Sequence, residues 1–377
     1  MKLRHNIYSR TIHVKMLFSF VLLLVLIPIL NLNTYACTIF TKQQGNQVLV
    51  GNNEDFNYAY KSYVWFVAQS EGSYGRVCFA NSSYVQGGMN EKGLFYDGAQ
   101  CPATEIPYSD DKPTLGMDLG EVVLSKCSNI DEAVDFLKDY NIPRSYGDHI
   151  LFTDETGKSV IIEWVEGEMK IIPKELDYQI ATNYFLSNPQ LGGYPCNRYD
   201  TAKSMLEDEN EISIESFKNI LSATSQVWDG GGTKYSNIYD LKNKLVYVFC
   251  KRDYSKYVYY NLADELKKLE QGEKKIYEID KLEYKVFENI SSYATMKINV
   301  VSGDKSLADS STKSSQTNKY DNSIKQAKGP TQTERYDNYI KQAKDNLGYS
   351  IPVAVVVLAF VYWIFIKKRV NNRNTKE

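Results

Sequence analysis

Histidine is nearly absent from this sequence. Three occur in 377 residues, and His5 and His13 fall within the first 36, so that from Cys37 onward only His149 is left. A Cys-His mechanism would have to use that one ring, and its surroundings, which read as a loop leading into a strand, give no support for one. Six cysteines (Cys37, Cys78, Cys101, Cys127, Cys196, Cys250) are widely spaced without a CxxC pair, which argues against a structural zinc site. Charge of one sign is also lacking: a net charge of −2 offers no nucleic-acid surface. Strand and helix patterns do not alternate, which excludes a parallel sheet of strand-helix-strand units.

What is present is organised around Thr34-Tyr35-Ala36-Cys37-Thr38-Ile39-Phe40. Upstream, Lys2, Arg4, Arg10 and Lys15 form a basic region, residues 16–30 are apolar apart from Ser19 and Pro28, and small Ala36 closes a short polar stretch. That is the layout of a secretory signal peptide cut after Ala36. Such a cut would leave Cys37 first, with a thiol and a free α-amine on one residue. The thiol titrates near ~8.5 and the amine near ~7.7–8.0, so the amine can take the thiol proton and later return it to a leaving amine. Two other readings of Cys37 stay open: a lipid-bearing cysteine, against which Thr34 and bulky Tyr35 speak, and a plain buried thiol.

The far end carries a second signal. Residues 347–366 hold no charge and are followed at once by Lys367, Lys368 and Arg369, the pattern of a membrane-spanning helix with a cytoplasmic basic flank. Together the two ends place the intervening chain outside the cytoplasm, tethered to the cell membrane by a single pass. Residues 289–346 read as a polar stalk, in which 320–328 nearly recur at 336–344, and 367–377 as a cytoplasmic tail. Residues 37–288 read as the folded domain. Strands are expected in pairs around Gln44-Gly45-Asn46 and around 71–75, then leading to Gln100; helices over 114–126 and 130–140, the latter capped by Ser128; strands at 150–164; helices at 199–206 and 215–223; and a tyrosine-rich hairpin at 237–260. This is an α+β domain of antiparallel sheets.

In order along the chain, Cys37-Thr38, Gly51-Asn52-Asn53-Glu54-Asp55, Gly88-Met89-Asn90-Glu91-Lys92-Gly93-Leu94, Thr182-Asn183 and Pro195-Cys196-Asn197-Arg198-Tyr199 resemble the choloylglycine hydrolase and penicillin V acylase family of N-terminal-nucleophile hydrolases. The resemblance covers residues 37–260 and is strongest in the first third. It implies a four-layer αββα sandwich and hydrolysis of a linear, non-peptide C–N amide in a small N-acyl substrate, with no metal or organic cofactor. Carried over by position, Cys37 is nucleophile and, through its amine, acid and base; Asp55 holds the amine; Asn183 donates to the oxyanion; Arg198 holds the thiolate and amine by charge. Asn52 stands where the family often has an arginine, so a higher thiol pKa or a different substrate charge preference is expected. Gln100 aligns with an asparagine of the oxyanion hole, one methylene longer in reach, and Asn52 and Gln100 are placed on the substrate side.

The short stretch from Asn183 to Arg198 gives no ground for the family's tetramer, and oligomeric state stays open. Trp65, Tyr84 and Trp228 are candidates for an apolar acyl surface, although core packing suits each as well. Asp229-Gly230-Gly231-Gly232-Thr233-Lys234 lacks Walker spacing and reads as a flexible loop bordering the site. The same nucleophile would serve acyl transfer or a peptidase-like activity, and a tethered binding module with a dead site is the non-enzyme alternative.

Overall fold

The structure is a computed structural model and describes residues 37–144 and 146–286. The expected leader, the stalk, the membrane helix and the tail all lie outside the described residues. Among the described residues, no helix is long and apolar enough to cross a membrane.

Gly45, at φ 56°, turns β1 (Thr38–Gln44) back into β2 (Gln47–Asn57), the hairpin expected from Gln44-Gly45-Asn46. Strand β2 then runs farther than the sequence suggests. It pairs on its other side with β12 (Gly231–Asp240), followed by β13 (Leu245–Cys250), β14 (Lys256–Asn261) and β16 (Lys285–Val286), while β10 (Tyr178–Ala181) closes the opposite edge on β1 and β11 (Val227–Trp228) adds to β12. The second sheet runs β15 (Lys274–Glu278), β3 (Ser62–Val67), β4 (Arg76–Asn81), β5 (Tyr84–Asn90), β6 (Phe95–Gln100), β7 (Asp148–Thr153), β8 (Ser159–Val165) and β9 (Glu168–Pro173). Every strand pairing in the two sheets is antiparallel.

Period-two alternation sorts the side chains into layers. Ile39, Val48, Val50, Tyr235 and Tyr239 of the first sheet meet Val64, Phe66, Phe79, Phe95 and Leu151 of the second. Their alternates Phe40, Leu49, Ile238 and Phe249 face outward against Ala202 and Leu206 of α3 (Asn197–Asp208) and Phe217, Ile220 and Leu221 of α4 (Ile214–Thr224). On the far side Tyr96, Ile150, Phe152 and Ile162 pack on Leu119, Val123 and Leu124 of α1 (Leu119–Lys126) and Ala133 and Leu137 of α2 (Ile130–Lys138). Two sheets between two helix layers result. Each large apolar side chain so buried stabilises by about 1.5–3 kcal/mol.

Some expected elements are corrected. The helix expected from 114 begins only at Leu119, because Leu115 donates to Asn141 O and Thr114 bridges to Asn141, so this stretch bonds outside any helix. Asn129, not Ser128, caps α2, accepting from Glu132 N; Ser128 bonds the Glu132 side chain one residue upstream. The expected hairpin at 237–260 is three strands. All six cysteines are free thiols.

Gly51 has a packing reason to be glycine. A Cβ there would stand 2.4 Å from the Phe40 ring, which itself lies 5.1 Å from the Phe217 ring. Gly51→Val is expected to lower unfolding stability by about 1–3 kcal/mol in urea titration by pushing Phe40 off α4; an unchanged midpoint would contradict this packing.

Candidate active site

The pairing of Thr38 with Asn53 sets the site, since it brings Cys37 beside Glu54 on the face between the sheets. Cys37 is 9% exposed, and its Sγ lies 3.7 Å from Glu54 Oε2. Asn81 Nδ2 donates to Glu54 Oε1 at 2.8 Å and is itself held by Ser62 Oγ at 2.7 Å. On the same face, Asn52 Nδ2 donates to Asp97 Oδ2 of the opposite sheet at 2.7 Å. Burial, then their mutual charge, pushes Glu54 well above the usual carboxylate range; burial raises Asp97 likewise. Burial, followed by the carboxylates of Glu54 and Asp55, also raises the Cys37 thiol, against the Asp55 backbone N–H that bonds the sulfur. Near neutral pH, then, the thiol is held protonated.

Asp55, one residue on, faces the other way. Thr233 Oγ1 donates to its Oδ1 and Gln226 Nε2 to its Oδ2 at 2.7 Å. A bulge at Lys234 makes this possible, letting Thr233 pair with Asp55 while Tyr235 pairs with Glu54 and stays in the inner core. Burial lifts Asp55 to about 7, with Thr233, Arg198 and Gln226 working against it. The glycine-rich run at 229–234 is therefore a tight hairpin of β11 and β12 that carries Asp55's partner, not a flexible loop.

Arg198, second residue of α3, reaches the start of β1. Its guanidinium donates to Cys37 O, to Thr38 Oγ1 at 2.9 Å and to Asn183 Oδ1 at 3.1 Å. Asn183 in turn donates from Nδ2 to Gln100 O at 2.8 Å. Gly193, at φ +79°, closes on the same residue: a Cβ there would stand 2.2 Å from Asn183 O. The structure thus brings Cys37, Asp55, Asn183 and Arg198 together. Gln100 joins through its main-chain carbonyl, its side chain being exposed, and Asn52 lies fully buried in the layer beneath.

Glu54, Thr233, Gln226 and Gly193 escaped the sequence reading. For Glu54 the signal was parity: once β2 extends to Asn57, residues 52 and 54 must share one face and 53 and 55 the other. Trp65 and Tyr84 pack toward the α1 layer, Trp65 in the cluster with Leu119 and Tyr84 through its hydroxyl on Met117 O. Trp228 lies with its indole against Gly231, two residues from Thr233, the partner of Asp55. No group of metal-binding side chains occurs among the described residues.

Residues 41–258 match the family model of acyl-coenzyme A:6-aminopenicillanic acid acyl-transferase. The chain belongs to that family. Cys37 lies four residues before the matched stretch. Among solved structures, an arginine-to-leucine variant of conjugated bile acid hydrolase from Clostridium perfringens is similar at 17% identity and TM-score 0.54, over 68% of this chain and all of that one. Penicillin V acylase from Agrobacterium tumefaciens aligns at 19% identity and TM-score 0.47, over 57% of this chain and 83% of that one. A cysteine-to-alanine mutant of the same bile acid hydrolase gives 16% and 0.49, over 67% and 96%. The likeness to the first is one of fold. No curated protein matches the chain.

For this member of the acyl-transferase family, iodoacetamide labelling of Cys37 in the uncleaved chain, followed by peptide mass spectrometry against pH, is expected to titrate above the ordinary thiol range of about 8.5. Glu54→Gln should move the midpoint down. A wild-type midpoint below about 7 would contradict the burial account.

Proposed function

We propose that this protein is an exported, membrane-tethered cysteine hydrolase that cleaves a linear C–N amide of a small N-acyl substrate through an acyl-thioester on Cys37. One observation carries the reading: Arg198 bonds both Cys37 O and Asn183 Oδ1, so nucleophile and oxyanion donor are held by a single side chain, with Asp55 beside them.

Uncleaved, Cys37 has a peptide nitrogen and its thiol rests on Glu54. A cut after Ala36 frees an amine next to Asp55. The amine then takes the thiol proton, and Asp55, when ionised, holds the ammonium. The thiolate attacks the amide carbon, and the charge that develops on oxygen is met by an Asn183 N–H; an amide nitrogen carries two donors, and one is engaged by Gln100 O. Collapse breaks the C–N bond as the ammonium returns the proton to the leaving amine nitrogen. Water, deprotonated by the same amine, then attacks the thioester and releases the carboxylic acid and the thiol. Asn52, fixed to Asp97 between the sheets, supports the strand rather than touching substrate, and Gln100 contributes its carbonyl. The family description favours a second reading, in which an amine in place of water accepts the acyl group from the same thioester.

A panel of N-acyl amides followed by intact mass should give an acyl adduct on wild-type protein and none on Cys37→Ser; turnover by the serine variant at the wild-type rate would overturn the reading. Asn183→Ala is expected to lower kcat by about 10²–10³. Asp55 binds its proton as pH falls through about 7, so activity should fall on that acid limb, and Asp55→Asn should remove the limb along with most of the rate.

A further inference from the structure

The single histidine after residue 36 is buried, and both of its ring nitrogens are used. His149 stands on the inner face of β7, fully buried, with Nε2 2.6 Å from Thr182 O and Nδ1 3.1 Å from Glu163 Oε1. Glu163, on the same face of β8, also accepts from Leu186 N at 2.7 Å through Oε1, and from Ser187 N at 3.1 Å and Ser187 Oγ through Oε2. These contacts pin both ends of residues 182–187, the turn that leaves β10. Asn183 lies inside that turn. Gly193 closes on it from the other side, and Phe185 presents its ring edge-on to His149 at 6.3 Å between centroids.

We propose that the His149–Glu163 pair is a positioning device for the active site, fixing residues 182–187 so that Asn183 Nδ2 stays aimed at the substrate carbonyl. The inference rests on the hydrolytic reading for its consequence in rate, and on geometry alone for the clamp. Hydrogen-bond chemistry sets the charge state: a carbonyl and an ionised carboxylate only accept, so each ring nitrogen must carry a proton. The groups facing the ring are Glu163 from β8, Cys101 just past β6 and the Thr182 carbonyl, while Asp148, next on β7 and on its opposite face, acts on the ring by charge alone. Burial disfavours the imidazolium, yet Cys101 and Glu163 lift His149 to about 10; burial likewise opposes ionisation of Glu163, whose bonds from His149 and Ser187 nevertheless hold it below the usual carboxylate range. Because the folded value exceeds the unfolded one of about 6.5, the contribution of the charged ring, from Cys101 and Glu163 together, is whole below that pH and lost as pH rises through about 10; for Glu163 it is present above the unfolded carboxylate range and lost toward acid. Across neutral pH the clamp does not titrate.

The test uses the protein as recovered from membranes, beginning at Cys37, with Glu163→Gln, His149→Gln and the milder Ser187→Ala. Hydrogen exchange read by mass spectrometry should show residues 182–187 losing protection while β1 and β2 keep theirs. Imidazole nitrogen resonances of wild type, assigned by difference from His149→Gln, should show both nitrogens protonated at pH 8. In turnover, kcat should fall about 10- to 100-fold with KM little changed and with the iodoacetamide rate of Cys37 as in wild type. Unchanged exchange at 182–187, a neutral ring at pH 8, or a lowered melting temperature with wild-type kcat would overturn the clamp. If the wild-type protein itself forms no acyl adduct, the hydrolytic reading fails while exchange and ring state still decide the clamp. Ser187→Ala removes one bond of five and gives a smaller loss in the same direction should the larger changes prevent folding.

Discussion

One guanidinium fixes the geometry on which the site depends. Arg198 can only donate, so the Asn183 atom that meets it must be oxygen, and the amide nitrogen is turned away from it, toward Gln100 O. The same group holds Cys37 O and Thr38 Oγ1, so the first residues of β1 and the turn after β10 are bound to one point on α3. Three segments far apart in sequence are registered by a single charge. Lysine, a compact point charge, could not reproduce that fork.

Around this bridge, β2 separates two chemistries by alternation. Its inner side carries Asn52 and Glu54 into a layer shared with Asp97, where burial favours neutral acids and a protonated thiol. Its outer side carries Asp55, lifted to about 7 by burial and kept from rising further by two side-chain donors and a cation. The inner layer thus holds the Cys37 thiol protonated, and in the proposed mechanism an amine freed by cleavage supplies what that layer withholds.

Much of this was legible beforehand, for identifiable reasons. Glycine at a turn and apolar alternation are local signals, and they located the first hairpin, the paired sheets and most of the helices. Cys37, Asp55, Asn183 and Arg198 could be named because they sit in short ordered motifs, and the structure brings them together. What was not legible depends on distance and parity. Glu54 was hidden because the length of β2, and so the face on which Glu54 falls, is set by pairing with β12. Lys234's bulge redirects Thr233 to Asp55, and no local pattern in a glycine-rich run announces that. His149 read as uninformative because its partners, Glu163 and the Thr182 carbonyl, lie 14 and 33 residues away. Gln100 matched an oxyanion position by alignment, yet it is its main chain that the site uses.

The proposed mechanism stands or falls on what Cys37 becomes. The most direct measurement is the N-terminal sequence and intact mass of the protein recovered from membranes. A chain that begins at unmodified Cys37 and retains its C-terminal residues is the predicted result. A chain that begins elsewhere, or carries a lipid mass on Cys37, would contradict the N-terminal-nucleophile mechanism and leave a tethered binding protein as the better description.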